Sequence, residues 1–315
     1  MKTGTKLIVL HPSLQKQGLS VLPSASHRIL VLVFVAFFGF AFALTLFSGR
    51  DAVPGAGTDS SVASRSQLPQ PVIDALLHYA TMNTTSVASR MSPAEVGAVA
   101  AALRRCGNSC NFLVFGLTHE TILWHSLNHG GRTVVVDESA YMVSKFEEKH
   151  PGIEAYDVQF TTKVSEFQNL LKHAEEEANK DCRAVQNLLF SDCKLAINDL
   201  PNHIYDVAWD IILVDGPRGY LPSSPGRMSA IFTAGVLARS KRGGTAKTQV
   251  FVHEIYREVE RVSSERFLCR NNMINSLEHL GHFGVGKLEE KEYRFCSNSK
   301  SESSSSSSRP SMADN

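Results

Sequence analysis

The chain has 315 residues, a formal net charge of +1, a hydrophobic fraction of 43% and a charged fraction of 20%. These fractions are ordinary for a folded domain, and the near-neutral net charge gives no sign of the strongly basic surface that nucleic-acid binding usually needs. We therefore expect one folded core and no nucleic-acid partner.

The first predicted element is a membrane anchor at residues 29–47, a run without charged side chains. As a helix it spans roughly 28 Å, close to the hydrocarbon core of a bilayer. A cleaved signal peptide is the competing interpretation, but its apolar region would be shorter and nearer the N-terminus. Lys2, Lys6, Lys16 and Arg28 precede the run, which predicts a type II protein with a lumenal C-terminal part. The short, Phe-rich span favours a thin early-secretory membrane such as that of the Golgi.

We divide the chain into five segments by composition. They are a cytosolic tail at residues 1–28, the anchor at 29–47, a flexible stem at 48–70, a folded lumenal domain at 71–296 and a disordered Ser-rich tail at 297–315. The stem and the C-terminal tail are rich in small and polar residues, which leave little apolar surface to bury. Asn83 begins an acceptor sequence for N-glycosylation if the domain is lumenal.

Within the domain, predicted strands alternate with predicted helices. Ser92, Pro93 and Glu95 form a capping-box pattern that opens a helix ending near Arg105. Strands are predicted at residues 111–116, 133–137, 153–160, 209–215 and 249–253, with a sixth in the last segment before Cys296. Helices are predicted at residues 121–128, closed by Gly130 and Gly131, at 163–179 and at 226–240. This alternation predicts a mostly parallel α/β sheet with helices on both faces.

All cysteines follow the predicted anchor. They are Cys106, Cys110, Cys182, Cys193, Cys269 and Cys296. An even number in an oxidising lumen favours disulfides, and we predict the pair Cys182–Cys193 because these residues bracket a short polar loop. A zinc site is the rival interpretation, although no CxxC pair occurs. Burial of some cysteines as small hydrophobic side chains is a third.

The first candidate site combines a glycine with a carboxylate. Gly116 ends the first predicted strand, and Asp137, followed by Glu138, ends the second about twenty positions later. This spacing suits a nucleotide-type cofactor, since the glycine lets the backbone approach the ligand and the carboxylate accepts hydrogen bonds from ribose hydroxyls. The alternative is that Asp137 only caps the following segment.

The second candidate site collects polar residues that follow two later strands. Asp215 ends one strand, and His253 with Glu254 ends the next, so these predicted catalytic residues share one rim of the sheet. A carboxylate here could act as a base, hold a divalent metal or bind a cofactor amine. The alternative for Asp215 is a turn carboxylate that caps backbone amides. Arg227, in the first turn of a predicted helix, is expected to be solvated.

Several longer motifs carry a family resemblance. They are residues 110–116 (Cys-Asn-Phe-Leu-Val-Phe-Gly), 126–133 (Ser-Leu-Asn-His-Gly-Gly-Arg-Thr), 209–217 (Trp-Asp-Ile-Ile-Leu-Val-Asp-Gly-Pro), 225–234 (Pro-Gly-Arg-Met-Ser-Ala-Ile-Phe-Thr-Ala) and 250–253 (Val-Phe-Val-His). Together they resemble the plant polysaccharide-biosynthesis family that includes the glucuronoxylan 4-O-methyltransferases and the irregular-xylem-fifteen proteins. Residues 5–12 and 141–151 resemble the irregular-xylem-fifteen branch in particular.

The resemblance implies a Rossmann-like, class I methyltransferase-like fold and a role in xylan biosynthesis or deposition without adding sugars to the polymer. The alternative is an S-adenosylmethionine-dependent O-methyltransferase that acts on the glucuronic acid side groups of xylan. Methylating members carry Gly where this chain has Thr118, which we include among the cofactor-binding candidates, and His-Asp where it has His253 and Glu254. Expected partners are xylan, the Golgi membrane and other xylan-synthesis proteins.

Overall fold

The computed structural model describes residues 34–40, 68–82, 90–107, 109–289 and 291–296. The chain divides into two units at residues 62 and 63, and the second unit contains the sheet. Within these described ranges, no helix is long and apolar enough to cross a membrane. Residues 34–40 of the predicted anchor are helical, and the rest of that anchor lies outside the described residues. So do Asn83, the predicted C-terminal tail and all but residues 68–70 of the predicted stem.

The second unit alternates helices and strands along the chain. The helices are α1 Gln70–Thr81, α2 Pro93–Cys106, α3 Thr121–Leu127, α4 Ala140–Lys149, α5 Phe167–Glu176, α6 Asn202–Tyr205, α7 Met228–Ser240 and α8 Glu258–Ser264. The strands are β1 Asn111–Phe115, β2 Arg132–Asp137, β3 Glu154–Asp157, β4 Ile211–Val214, β5 Lys247–His253, β6 Met273–Leu277 and β7 Leu280–Gly286. The predicted mostly parallel α/β architecture is confirmed.

The strands form one seven-stranded sheet in the order β3-β2-β1-β4-β5-β7-β6. The first five in this order are parallel, while β7 is antiparallel to both β5 and β6. The chain winds outward from β1 in one direction and then continues from β4 in the other. This Rossmann-like order places a switch point between β1 and β4, where open α/β sheets bind ligands beyond the carboxyl ends of the strands.

The central strands are buried on both faces, which explains their continuous apolar sequences. Successive residues of β1 contribute to different faces: Phe112 and Val114 pack with α2 and α3, whereas Leu113 and Phe115 belong to the cluster that contains α7. Helix α7 is buried along its length from Met228 to Arg239. Its Arg239 guanidinium is satisfied inside the protein, where it donates to backbone carbonyl oxygens of Gly235 and Phe267.

The predicted capping box is present at the start of α2. The Ser92 hydroxyl accepts a hydrogen bond from the Glu95 backbone N–H at 3.2 Å, and the Glu95 carboxylate accepts one from the Ser92 N–H at 2.7 Å. Both bonds satisfy amides that a helix start would otherwise leave unpaired.

Other boundaries depart from the prediction. Helix α3 ends at Leu127 with Asn128 as its C-cap, so Gly130 and Gly131 follow the cap instead of forming it. Helices α1, α4, α6 and α8 were not predicted, and the expected single sixth strand is a hairpin of two strands. Helix α4 begins at a cap that the sequence does show, since the Ser139 hydroxyl accepts from the Met142 N–H.

All cysteines of the chain form disulfides. The pairs are Cys106–Cys110, Cys182–Cys193 and Cys269–Cys296. The predicted pair Cys182–Cys193 is confirmed, with a Cα–Cα distance of 5.0 Å. The carboxylate of Asp210 lies near Cys106 and Cys110. Because the sulfur atoms of those two cysteines are bonded to each other, they are not thiolate ligands for a metal.

Removal of the Cys182–Cys193 bond should lower stability without changing the fold. The bond closes a loop of 11 residue steps in a segment with little regular structure. The double variant Cys182→Ser, Cys193→Ser should lose about 2–3 kcal/mol of unfolding free energy, because its unfolded chain is less constrained. Urea denaturation of both proteins under non-reducing conditions measures this difference, and equal midpoints with equal slopes would contradict it.

Candidate functional site

A cavity of about 840 Å³ lies at the carboxyl ends of β1, β2 and β4. Four of the predicted site residues line it: Gly116, Thr118, Asp137 and Asp215. The remaining wall comes mainly from the loop that precedes α3 and from α4, which supplies Met142 and Phe146 among others. The cavity therefore occupies the switch point of the sheet, and Asp215 of the second candidate site opens into the same space as the first candidate site.

Gly116 is required by the packing of two loops. Its φ is +113°, and a Cβ atom there would lie 2.8 Å from the carbonyl carbon of Asp215. A Cβ on Gly216 would in turn lie 2.6 Å from the Cα of Gly116. The loops after β1 and β4 thus cross at van der Waals distance, which only a pair of glycines permits. This crossing brings Asp215 beside the β1 loop.

The carboxylate of Asp137 organises the cavity floor. Its Oδ2 accepts a hydrogen bond from the Leu117 N–H at 2.7 Å, and its Oδ1 accepts one from the Ser139 N–H at 2.9 Å. The first bond joins the ends of β1 and β2, and the second positions the start of α4. Beside it, Glu138 also lines the cavity. Burial, together with the adjacent charge of Asp137, raises the pKa of Glu138, and the Arg218 backbone N–H offsets part of that rise.

Glu120 adds a buried acceptor that sequence inspection missed. The residue is 2% exposed and lines the cavity. Its Oε2 pairs with His119 Nδ1 at 2.9 Å. Its Oε1 is buried and has no hydrogen-bond partner among the residues that the structure describes. A buried acceptor without a donor is costly, so a ligand that supplies an ammonium or hydroxyl donor here would be stabilised.

Asp215 is the only one of the three predicted rim residues that lines the cavity. His253 and Glu254 lie behind it, 2% and 3% exposed. His253 Nδ1 is 2.7 Å from Asp215 Oδ1, and its Nε2 is 3.7 Å from Glu95 Oε2. Burial lowers the pKa of His253, but the hydrogen bond and the charge of Asp215 outweigh that effect and raise it above its ordinary value. The Asp215 carboxylate therefore favours the protonated form of His253.

Arg227 is buried, which corrects the expectation that it is solvated. It is 2% exposed, and its Nη2 lies 3.3 Å from Asp215 Oδ1 and 3.0 Å from Glu254 Oε2. Its Nη1 donates to the His253 carbonyl oxygen at 2.7 Å. Arg257 completes the pairing of Glu254 through its Nη1 at 2.7 Å. Arg227 thus connects the cavity carboxylate to the charged residues behind it.

We call these residues the buried charge cluster. Its members are Glu95, Asp215, Arg227, His253, Glu254, Arg257 and Glu260. Four carboxylates face two guanidinium groups, so a proton on His253 brings the cluster closer to neutrality. Burial also raises the pKa of Glu260, which favours its neutral form. The contacts of the cluster fix the position of Asp215, and a fixed carboxylate at a cavity wall can accept a proton or bind a cation.

Comparison with known proteins assigns the family. A family model described as IRX15/IRX15L/GXM matches residues 94–283, more than half of the chain. The chain belongs to this family. The resemblance seen in its motifs is thereby confirmed, and the matched residues contain the whole sheet apart from the last three residues of β7.

Individual members of the IRX15/IRX15L/GXM family differ in how much of the chain they match. Protein IRREGULAR XYLEM 15 of Arabidopsis thaliana is 50% identical over 96% of this chain and 97% of its own length. Glucuronoxylan 4-O-methyltransferase 1 of Arabidopsis thaliana is 38% identical over 73% of this chain and 80% of its own.

A solved methyltransferase-like protein from Silicibacter pomeroyi covers 63% of this chain and 88% of its own, with 14% identity and a TM-score of 0.36.

Proposed function

We propose that this protein is required for the biosynthesis or deposition of xylan in plant cell walls and does not itself add sugars to the polymer. The observation that carries the proposal is the match to Protein IRREGULAR XYLEM 15, which extends over 96% of the chain. The match to the glucuronoxylan methyltransferase covers only 73%. The chain therefore shares more of its length with the irregular-xylem branch, while its folded domain is common to both.

The proposed place of action is the Golgi, with the domain in the lumen behind a single type II anchor at residues 29–47. The asymmetry of Lys and Arg around that run supports the orientation. The three disulfides support an oxidising compartment. Protease treatment of sealed microsomes should leave the domain intact, and its digestion in intact vesicles would refute the orientation.

A second function is methyl transfer to glucuronic acid side groups of xylan. It is favoured by the hydrogen-bond acceptors that line the cavity. Bound S-adenosylmethionine would supply an electrophilic methyl group. The residues present fit such a ligand: Glu138 and Asp137 are carboxylates where ribose hydroxyls are bound in dinucleotide folds, and the unpaired Glu120 Oε1 suits an ammonium group. Met142 and Phe146 provide apolar surface in the same wall.

In this second function Asp215 has the catalytic position. A sugar hydroxyl must lose its proton as it accepts a methyl group, and a carboxylate at the cavity wall can take that proton. His253 and Glu254, predicted as catalytic, then act through Asp215, since neither lines the cavity. We propose them as positioning residues. A divalent metal at the acidic cavity wall stays an alternative way to assist the hydroxyl.

Titration calorimetry with S-adenosylmethionine tests the cofactor. The full-length protein should bind it, and Asp137→Ala should weaken binding by about 1.5–3 kcal/mol, since the lost bonds involve a charged acceptor. Asp157→Ala is the matched control: Asp157 ends the next strand, is exposed and does not line the cavity. Unchanged affinity in Asp137→Ala would place the ligand elsewhere, and absence of binding to the wild type would exclude the second function.

The principal proposal is tested in plants. Lines that lack this protein and its close relatives should contain less wall xylan or shorter xylan chains than unmodified plants. Measurement of xylose content and of xylan chain length in purified walls provides the comparison. Normal amount and normal length would defeat the proposal, whichever result the calorimetry gives.

A further inference from the structure

A second cavity, of about 490 Å³, lies at the opposite edge of the sheet. Its walls include the end of α7 and Lys287, directly after β7. Because Gly286 pairs with Lys247, the first residue of β5, this cavity lies where the parallel strands begin. The proposed active site lies where those strands end. We call the second cavity the basic groove.

The basic groove carries an excess of positive charge. Its cationic residues are Arg183, Arg239, Lys241, Arg242 and Lys287, against a single acidic residue, Asp206. Arg239 and Lys241 also stabilise the fold, since they donate to backbone carbonyl oxygens inside the protein. Burial lowers the pKa of Lys241, the negative charge of Asp210 partly offsets this, and the nearby positive charge of Lys287 lowers the pKa further. Lys241 and Lys287 are therefore close enough to repel each other.

Three of these cationic side chains have hydrogen-bond donors that are available to a ligand. The Nε of Arg183 is buried and has no hydrogen-bond partner within the described part of the chain. Arg242 and Lys287 are exposed and make no ion pair with any residue in the described ranges. A buried donor without an acceptor is unfavourable unless a ligand supplies one. The matching ligand is an anion with oxygen acceptors.

A purely structural role accounts for only part of this charge. Cations near the end of α7 offset the negative end of its dipole, which explains Arg239, Lys241 and Arg242. Arg183 and Lys287 lie on other segments, and the dipole of α7 does not supply the acceptor that the Arg183 Nε lacks. The unpaired Arg183 Nε and the convergence of three segments on one cavity therefore need another explanation.

The size and the neutral lining of the groove select the kind of anion. A volume of about 490 Å³ falls in the range of sites for organic ligands and exceeds what one inorganic phosphate needs. Asn187, Ser240 and Tyr205 add amide and hydroxyl groups to the lining, the types that hydrogen-bond sugar hydroxyls. We propose that the basic groove binds the carboxylate of a uronic acid on an acidic polysaccharide, at a second site separate from the first cavity. The choice of a polysaccharide rests on the proposed function.

Equilibrium binding to the full-length protein tests this inference. The probes are a xylo-oligosaccharide that carries glucuronic acid, the same oligosaccharide without it, and inorganic phosphate. The groove variant is Arg183→Gln, Arg242→Gln, Lys287→Gln. Its control removes three charges from exposed positions outside the groove, Lys172→Gln, Lys180→Gln, Arg270→Gln, where the side chains are 76%, 71% and 79% exposed.

We expect the acidic oligosaccharide to bind the wild type and the control equally, and the groove variant at least about tenfold more weakly. The neutral oligosaccharide should bind all three proteins alike. Equal affinity of the groove variant and the control for the acidic probe would overturn the inference, and so would displacement of that probe by phosphate at a similar concentration. If the triple variant fails to fold, the exposed pair Arg242→Gln, Lys287→Gln is measured instead, with a threefold or greater loss expected.

The two proposals fail separately. Normal xylan in plants that lack the protein would defeat the proposed function, while a loss of binding confined to the groove variant would still establish an anionic saccharide site. Conversely, reduced xylan together with unchanged binding by the groove variant would leave the proposed function intact and remove the second site.

Discussion

The variant Arg227→Met should lose about 3–5 kcal/mol of unfolding free energy, a large part of the stability of an ordinary domain. The methionine side chain fills similar space but leaves Asp215 and Glu254 without their shared guanidinium, at side-chain exposures of 6% and 4%. Two carboxylates buried without a full complement of donors are expensive because each was desolvated on folding. Arg257 still pairs with Glu254, so most of the cost falls on Asp215.

Urea denaturation of the variant and of Arg270→Met measures this effect. Arg270 is 79% exposed and makes a surface ion pair with Glu265, so its replacement should cost less than about 1 kcal/mol. Adding Asp215→Asn to Arg227→Met should restore part of the loss, since it removes the carboxylate charge that has lost its guanidinium partner. A loss below about 1 kcal/mol at neutral pH would show that the buried charge cluster does not depend on Arg227.

The variant Asp215→Asn should abolish methyl transfer, if the protein catalyses it, while the fold survives. The substitution keeps the shape of the side chain and removes its charge, and loss of a general base typically lowers a rate by about 10²–10⁴-fold. Transfer of labelled methyl groups to xylan oligosaccharides provides the assay, with Asp157→Asn as a control outside the cavity. An Asp215→Asn protein with wild-type transfer would remove Asp215 from the mechanism.

Asp215→Asn also changes how stability depends on pH. In the wild type the pKa of His253 is raised above its ordinary value, chiefly by Asp215 acting against the opposing effect of burial. The stabilisation that this proton provides is complete below the ordinary pKa of histidine, about 6.5, and is lost as pH rises through the raised pKa. The asparagine variant should lack this loss, because burial and the charge of Arg227, which both lower the pKa of His253, are then opposed only by the charge of Glu95. Denaturation midpoints between pH 5 and about 8 show the difference.

Much of the sheet is predictable from sequence because its strands are buried on both faces. β1, β2, β4 and β5 each contain an uninterrupted run of three or more apolar residues, so both their type and their order along the chain are visible. Helices α4 and α8 are less evident, since α4 buries only Val143 and α8 is seven residues long. Their stability comes from tertiary contacts, which periodicity does not report.

The sequence predicts which strand ends line the cavity, but not which neighbouring polar residues are buried behind it. Strand ends place Gly116, Asp137 and Asp215 at one rim, and all three line the cavity. His253 follows the same logic, and the pairing of Val214 with Val252 does bring it beside Asp215. Whether such a residue faces the cavity or the interior depends on the elements that pack over it. Here the carboxylate of Glu95, in α2, accepts a hydrogen bond of 2.7 Å from the His279 backbone N–H. These two groups close the space behind His253.

Long-range contacts also explain the two residues that sequence inspection undervalued. Arg227 is a first-turn arginine by position, yet its partners Asp215 and Glu254 come from the ends of two separate strands. Glu120 precedes a seven-residue helix and becomes significant only because the fold buries it in the cavity wall. Neither contact leaves a local spacing in the sequence.

We propose that the cavity at the carboxyl edge of the sheet serves xylan biosynthesis. This is tested by the wall xylan of plants that lack this protein and its close relatives, after reintroduction of either the wild type or the variant Glu120→Gln, Asp137→Asn. Both substitutions keep side-chain shape and remove the charge of a carboxylate in the cavity wall. At equal protein levels, the wild type should restore xylan amount and chain length and the variant should not. Equal restoration by both proteins would contradict the claim.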